Sequence, residues 1–229
     1  EKIQADSISS MTKRAVKTNV HLGSPYSSRG KDQQGDPVRF VGSVGCRAMH
    51  GTEHGFVTAA HCLPKMGLSV CIGETDTNLG KVTSVKLNAS SDAAFVAVDY
   101  DKYYPTNTTY RTKTALYDKI LKNSSLVGYE VSTEGQKTAN VVKAKVTEIN
   151  KKVHVQKWTP AGQADFYANN MVYATFTSSQ TQEGDSGGIV YVNGYVAGIH
   201  SARLGNTTQI FSSAELVLKD LGLTNIWEK

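Results

Sequence analysis

The sequence predicts an all-β protein, on three observations. Its apolar residues come in short runs separated by Gly, Asn, Asp and Ser. Residues 141–149 and 153–157 alternate partly with period two, the mark of a strand with one wet face. Val192-Asn193-Gly194-Tyr195 reads as a tight hairpin, because Asn-Gly readily takes the positive φ of a type I′ turn. Many short strands at this spacing belong to a sandwich or barrel.

In chain order the strands are expected at 39–44, 55–58, 68–72, 81–87 and 93–98, then at 126–132, 141–149 and 152–157. The last group is 171–176, 189–192, 195–200 and 209–211. Residues 1–37 are polar and rich in Ser, Gly and Lys, and read as an N-terminal extension or arm. Residues 99–125 carry Tyr, Thr, Asn and Lys with weak patterning and read as a connection between two β halves. One helix is expected, at the C-terminus. Ser212 is its N-cap and Glu215 closes a capping box. Leu216, Val217 and Leu221 form its inward face, and Gly222 stops it.

The composition is ordinary for a globular chain: 229 residues, 39% hydrophobic and 20% charged. No stretch approaches the roughly 18–20 apolar residues of a membrane-spanning helix. Lys and Arg number 25 against 20 Asp and Glu, a net charge of +5. That charge is dispersed, with basic pairs such as Lys13-Arg14 and Lys151-Lys152, whereas a nucleic-acid binder gathers it on one face. Sequons at Asn88, Asn107, Asn123 and Asn206 fit exposed loops of a secreted protein, and also arise by chance in a chain rich in Ser and Thr.

Cys46, Cys62 and Cys71 form no CxxC pair, which argues against a zinc ribbon or a dithiol redox site. His50 and His54 have helical i, i+4 spacing but lack the HExxH order, and Gly51 makes a helix poor. That segment reads as a loop joining two strands, and no metal site is expected. Trp158 and Trp227 read as core or end-packing residues.

Three segments carry chemistry: Thr58-Ala59-Ala60-His61-Cys62, Ser91-Asp92 followed by the apolar run 93–98, and Glu183-Gly184-Asp185-Ser186-Gly187-Gly188. A serine hydroxyl is a weak nucleophile near neutral pH and needs a base beside it. Histidine suits that task with an unperturbed pKa of about 6.5. Together the TAAHC and GDSGG strings, in the order His61, Asp92, Ser186, resemble the chymotrypsin-like serine proteases. The missing additional disulfides and the short gap from His61 to Asp92 look like the microbial branch.

The resemblance implies two six-stranded antiparallel β-barrels with the active site between them, at 38–110 and 111–229. It implies a secreted serine endopeptidase that acts on protein or peptide substrates as a monomer, without cofactor or metal. Ser186 is then the nucleophile, His61 the base and Asp92 its orienting partner, with the backbone N–H groups of Gly184 and Ser186 as oxyanion donors. It also implies a disulfide between Cys46 and Cys62, leaving Cys71 as a small buried hydrophobe. Asp185 is expected to be neutralised by a new N-terminal amine, as in an activated zymogen, or by an internal basic residue. Val20-His21-Leu22-Gly23 is at best a weak analogue of the family's activated start.

Gln180 falls at the base of the specificity pocket, where an Asp would select Lys or Arg. Ser201 matches the family's pocket-wall serine. His200 and Thr181 match the histidine and hydroxyl of glutamate-specific members, and Arg203 adds positive field. Cleavage after Glu, or after Asp or Gln, is the expectation. Glu183 opposes it unless paired with Arg203. The rival readings are a catalytically silent homologue that binds a partner and an adhesion or carbohydrate-binding β domain.

Overall fold

The computed structural model describes residues 16–224. The first sheet has seven strands: β2 (Pro25–Lys31), β3 (Pro37–Ser43), β4 (Arg47–His50), β5 (Glu53–Thr58), β6 (Ser69–Ile72), β7 (Asn78–Val85) and β8 (Ala94–Val98). Their spatial order is β3-β2-β6-β7-β8-β5-β4, so the two edges are consecutive in sequence. Residues 44–46 join them. Val44 N–H donates to Ser24 O at 2.9 Å, and Gly45 N–H to Val57 O at 2.8 Å. One bent run, 37–50, therefore borders β2 at its start and β5 at its end, and the chain itself curls the sheet round. Counted as one bent strand, it gives the six strands the sequence led us to expect. Gly45 permits the bend, since a Cβ there would lie 2.5 Å from Val57 O.

The second unit is a closed six-stranded barrel: β10 (Glu130–Glu134), β11 (Val142–Thr159), β12 (Gly162–Phe176), β15 (Thr208–Ser213), β14 (Tyr195–Leu204) and β13 (Ile189–Val192), in that order. Asn193 and Gly194 both have positive φ, 50° and 81°, as the I′ hairpin between β13 and β14 requires. Outside both units, β1 (Thr18–Leu22) pairs in parallel with β9 (Tyr103–Thr109).

One hydrophobic cluster locks the units together. Leu22, Cys46, Val57 and Phe95 from the first half pack with Ile189, Ile199, Val217 and Leu221 from the second. Each fully buried side chain of this size contributes roughly 1.5–3 kcal/mol. Val57, Ala93 and Ile189 of this shared core lie within four residues of His61, Asp92 and Ser186, respectively.

Several expectations need correction. Residues 18–31 are not a loose arm: they form β1 and β2, and Val20, Leu22 and Tyr26 are buried. Lys13, Arg14 and Trp227 lie outside the described residues. The C-terminal helix α1 (Ala214–Leu221) is N-capped by Ser213 backbone, with no side-chain cap bond. Ser212 belongs to β15, and Glu215 accepts instead from Asn123 N–H at 2.7 Å. Its buried face is Ala214, Val217, Leu218 and Leu221, with Leu216 only half-buried, and Gly222 at φ 66° ends it. Asn123 is itself buried, unlike an exposed sequon.

The disulfide is absent: all three cysteines are free. Cys46 packs with Leu22, Ala48 and Ile189, whereas Cys62 borders a different cluster, with Tyr26, Val44 and Phe56. The two side chains thus belong to different hydrophobic clusters. Cys71 is half-buried rather than enclosed.

Candidate active site

The turn after β5 carries His61. Ala59 and Ala60 are fully buried and pin the turn, so the 4%-exposed imidazole is held from below. Asp92 enters from the residue before the buried Ala93-Ala94 start of β8 and has no exposure. His61 Nδ1 lies 2.6 Å from Asp92 Oδ2, and His61 N–H donates to Asp92 Oδ1 at 2.9 Å. Ser201 Oγ donates to Asp92 Oδ2 at 2.5 Å. Asp92 N–H donates to Ser212 Oγ at 2.9 Å, tying this carboxylate to the second barrel.

Burial disfavours the Asp92 charge, but His61 and Ser201 outweigh it and hold the carboxyl below its ordinary range. Burial likewise opposes a charged His61, and the ionised form of Cys62 and the Asp92 carboxylate together more than reverse it, so the ring is more basic than usual.

Ser186 sits in the turn before β13. Its Oγ donates to Ser201 O at 3.1 Å rather than to His61, while both side chains line one cleft. Gly187 must be glycine, since φ is 88° and a Cβ would lie 2.0 Å from Thr58 Oγ1. Ser43 Oγ donates to Gly184 O at 2.8 Å and fixes the preceding turn. Among the described residues the N–H groups of Gly184 and Ser186 donate to no other group.

Asp185 is fully buried and, among the described residues, is satisfied without a cation. Oδ1 accepts from Lys137 N–H at 2.8 Å and Thr138 N–H at 2.9 Å. Oδ2 accepts from Gln182 N–H at 2.8 Å and from the Thr138 hydroxyl. The expected amine or basic side chain is replaced by amides and one hydroxyl. Val20 lies inside β1, paired with Pro105.

Beside Ser186 opens a cleft of about 300 Å³, lined among others by His61, Thr181, His200, Ser201 and Arg203. His200 is 2% exposed, and burial lowers its pKa to about 4, so its ring is neutral near pH 7. Gln209 Nε2 lies 3.2 Å from His200 Nδ1 and donates to Thr133 Oγ1 at 2.7 Å. Thr181 Oγ1 is buried and has no hydrogen-bond partner.

Three pocket residues differ from expectation. Gln180 does not line the cleft, because its Oε1 accepts from Arg203 at 3.0 Å. Arg203 is further tied to Asn206 Oδ1 at 3.1 Å. Glu183 is exposed and lies 3.7 Å from Lys157, not against Arg203. Sequence reasoning missed Gln209 and Thr133. The available signal was a lone amide, Gln209, opening the run Ile210-Phe211-Ser212-Ser213.

A trypsin family model matches residues 24–213. No curated relative matches the chain. Among solved structures, the chain is similar to protease A of Thermobifida fusca, at 19% identity and TM-score 0.66, covering 90% of this chain and 98% of that one. It is similar to a Nocardiopsis protease at 22% identity and TM-score 0.65, covering 90% and 98%. A third structure is described as a glutamic acid specific serine protease that uses a histidine triad in substrate binding. It shares 22% identity at TM-score 0.65, with 90% of this chain and 99% of that one covered. At these identities the structures establish a common fold.

Proposed function

Since the chain belongs to the trypsin family of serine proteases, we propose that Ser186, His61 and Asp92 are its catalytic triad and that it cleaves after glutamate. In this reading His61 accepts the Ser186 hydroxyl proton as Oγ attacks the scissile carbonyl, then returns it to the leaving amine. Asp92 fixes the ring with the proton on Nδ1 and steadies the imidazolium, supported by the 2.6 Å contact. Ser186 Oγ must leave the Ser201 carbonyl and turn toward His61 Nε2. The free N–H groups of Gly184 and Ser186 receive the oxyanion, each worth roughly 3–4 kcal/mol to the transition state.

The glutamate preference rests on one observation: the His200 imidazole and the unpartnered Thr181 hydroxyl belong to the cleft that Ser186 borders. With its proton on Nε2, the His200 ring and the Thr181 hydroxyl offer two buried donors to a side-chain carboxylate, and Arg203 adds positive potential at the rim. Arg203 is held by Gln180 and Asn206, so it acts through field rather than by a free guanidinium. An extracellular monomer is part of the same proposal. Culture fractionation and sedimentation check those two points.

The test is digestion of a diverse peptide mixture, read by mass spectrometry, with Ser186→Ala as control. Cuts clustered after Glu and absent with the control support the reading. His200→Phe should then abolish glutamyl cleavage while leaving cleavage after Leu or Phe. Equal loss for all residues sinks the specificity, and cuts that persist in Ser186→Ala sink the triad.

A further inference from the structure

The connection between the two units exchanges side chains with the segment that follows β10. It leaves β9 at Thr109 and is fixed there, since Tyr110 N–H donates to Leu22 O of β1 at 2.7 Å. Glu134, the last residue of β10, is 1% exposed. Its carboxylate accepts from Arg111 N–H at 3.1 Å, from the Thr112 hydroxyl at 2.6 Å and from the Tyr191 hydroxyl at 2.9 Å. Arg111 reciprocates with its side chain. Nε–H donates to Gly135 O at 3.1 Å, and Nη2 donates to Gln136 O. A guanidinium can hold two carbonyls at once because its donors lie in one rigid plane, whereas an ammonium is a single point on a flexible stem.

Residues 135–138 run from this clasp to the turn that carries Ser186. Gly135 lies directly on Asp185, since a Cβ there would be 2.5 Å from Asp185 Oδ1. Gln136 N–H donates to Ser43 Oγ at 2.9 Å, and the same hydroxyl donates to Gly184 O. Lys137 and Thr138 N–H groups both end on Asp185 Oδ1. The segment is therefore bound on two sides. Its carbonyls at 135 and 136 meet the connection, and its amides at 136–138 meet the turn.

We propose that Arg111 is a positioning residue for the oxyanion turn. By fixing the carbonyls of Gly135 and Gln136 it aims the amides that orient Asp185, and through Asp185 it aims the N–H groups of Gly184 and Ser186. The proposal rests on the catalytic reading above and adds to it a residue from the connection between the units. Arg111 lines neither pocket beside Ser186. Its loss therefore leaves the walls that hold the substrate in place and acts on the two donors that meet the developing oxyanion. Only interactions stronger in the transition state than in the ground state change kcat without changing KM. The connection between the units thereby sets the turnover rate from outside the cleft.

The experiment compares the parent chain with Arg111→Ala and Arg111→Lys on one cleaved peptide. In Arg111→Ala, kcat is expected to fall about tenfold with KM held within about twofold, because the two oxyanion donors are loosened rather than removed. Arg111→Lys keeps the charge and one donor, and should recover about half of that loss on a logarithmic scale. The rate at which a fluorophosphonate labels Ser186 is measured in parallel. It should slow by the same factor as kcat, since the phosphonyl oxygen draws on the same two N–H groups. Should the alanine variant fail to fold, the lysine variant carries the same comparison. Unchanged kcat, a labelling rate that stays at the parent's while kcat falls, or a KM that rises as steeply as kcat drops each overturn the proposal. Those results leave the catalytic reading intact, because the parent still labels and cleaves. A parent that neither labels nor cleaves takes down both.

Discussion

Thr138 binds both oxygens of Asp185: its N–H donates to Oδ1 at 2.9 Å and its hydroxyl to Oδ2. With Lys137 and Gln182 N–H groups, it satisfies a buried carboxylate directly before Ser186. The turn that aims the Gly184 and Ser186 amides is thereby held by donors already within the fold. Extra residues fused ahead of Glu1 should then leave kcat/KM within about twofold, since no newly made amine is required. Activity that appears only after proteolytic removal of the fusion would contradict this.

Thr138→Val keeps the shape and removes the hydroxyl. A buried carboxylate that loses one charge-assisted hydrogen bond costs roughly 1–3 kcal/mol. We expect a matching fall in urea stability and a drop in kcat larger than any change in KM, because the oxyanion turn loosens. Thr138→Ser should restore both. Equal kcat in all three proteins would show that the hydroxyl does not hold the turn.

The free cysteines make a separate prediction. Cys46 is buried and its thiol is pushed up to about 12, so it is inert to alkylation in the folded state. Cys62 is half-buried and lines a second pocket, which His61 and Ser186 also line. Iodoacetamide should modify Cys62 before Cys46 and block peptide cleavage. Dithiothreitol should leave the melting temperature unchanged. A melting temperature that falls with reductant would restore the Cys46–Cys62 bridge.

The motif residues were legible because each needs a local string as well as a side chain. The GDSGG run fixes a turn whose backbone only glycine adopts, as at Gly187. What stayed hidden was polar structure. β2 buries Ser27 and Ser28 without exposure to match their polarity, since Ser28 Oγ donates to Ser69 O at 2.8 Å. β9 is built of Tyr, Thr and Asn, and pairs with β1 in parallel far along the chain. The first half of β12 alternates Ala164, Phe166 and Ala168 inward, but alanines give little hydrophobic signal. The disulfide inference failed because a family spacing says nothing about which hydrophobic cluster Cys46 packs into.

Asp92→Asn should preserve the fold and cost about 10⁴-fold in kcat, because the amide favours the wrong imidazole tautomer. Asp92 also accepts from Ser201 Oγ, so Ser201→Ala leaves that buried oxygen one donor short. The Ser201 variant should lose far less activity than the Asp92 variant. Steady-state kinetics on one peptide decide it, and an active Asp92→Asn protein would remove Asp92 from the catalytic assignment.

His200 gives a pH dependence of stability. Burial is the main cause of its low pKa, with His61 adding to it and the carboxylates of Asp185 and Asp92 opposing it. In the unfolded chain a histidine titrates at about 6.5, and in the fold His200 does so at about 4. Between those values the unfolded chain binds a proton that the folded chain refuses. Stability therefore falls as pH drops from about 6.5 to about 4, by about 3 kcal/mol for this residue. His200→Gln removes the titration, and its amide can still meet Gln209. Urea unfolding at pH 7.5 and pH 4.5 should show a smaller acid loss for the variant than for the parent, by about 2–3 kcal/mol. Parallel losses in the two proteins would mean that His200 takes up its proton within the fold, and that it enters the cleft as a cation at acid pH.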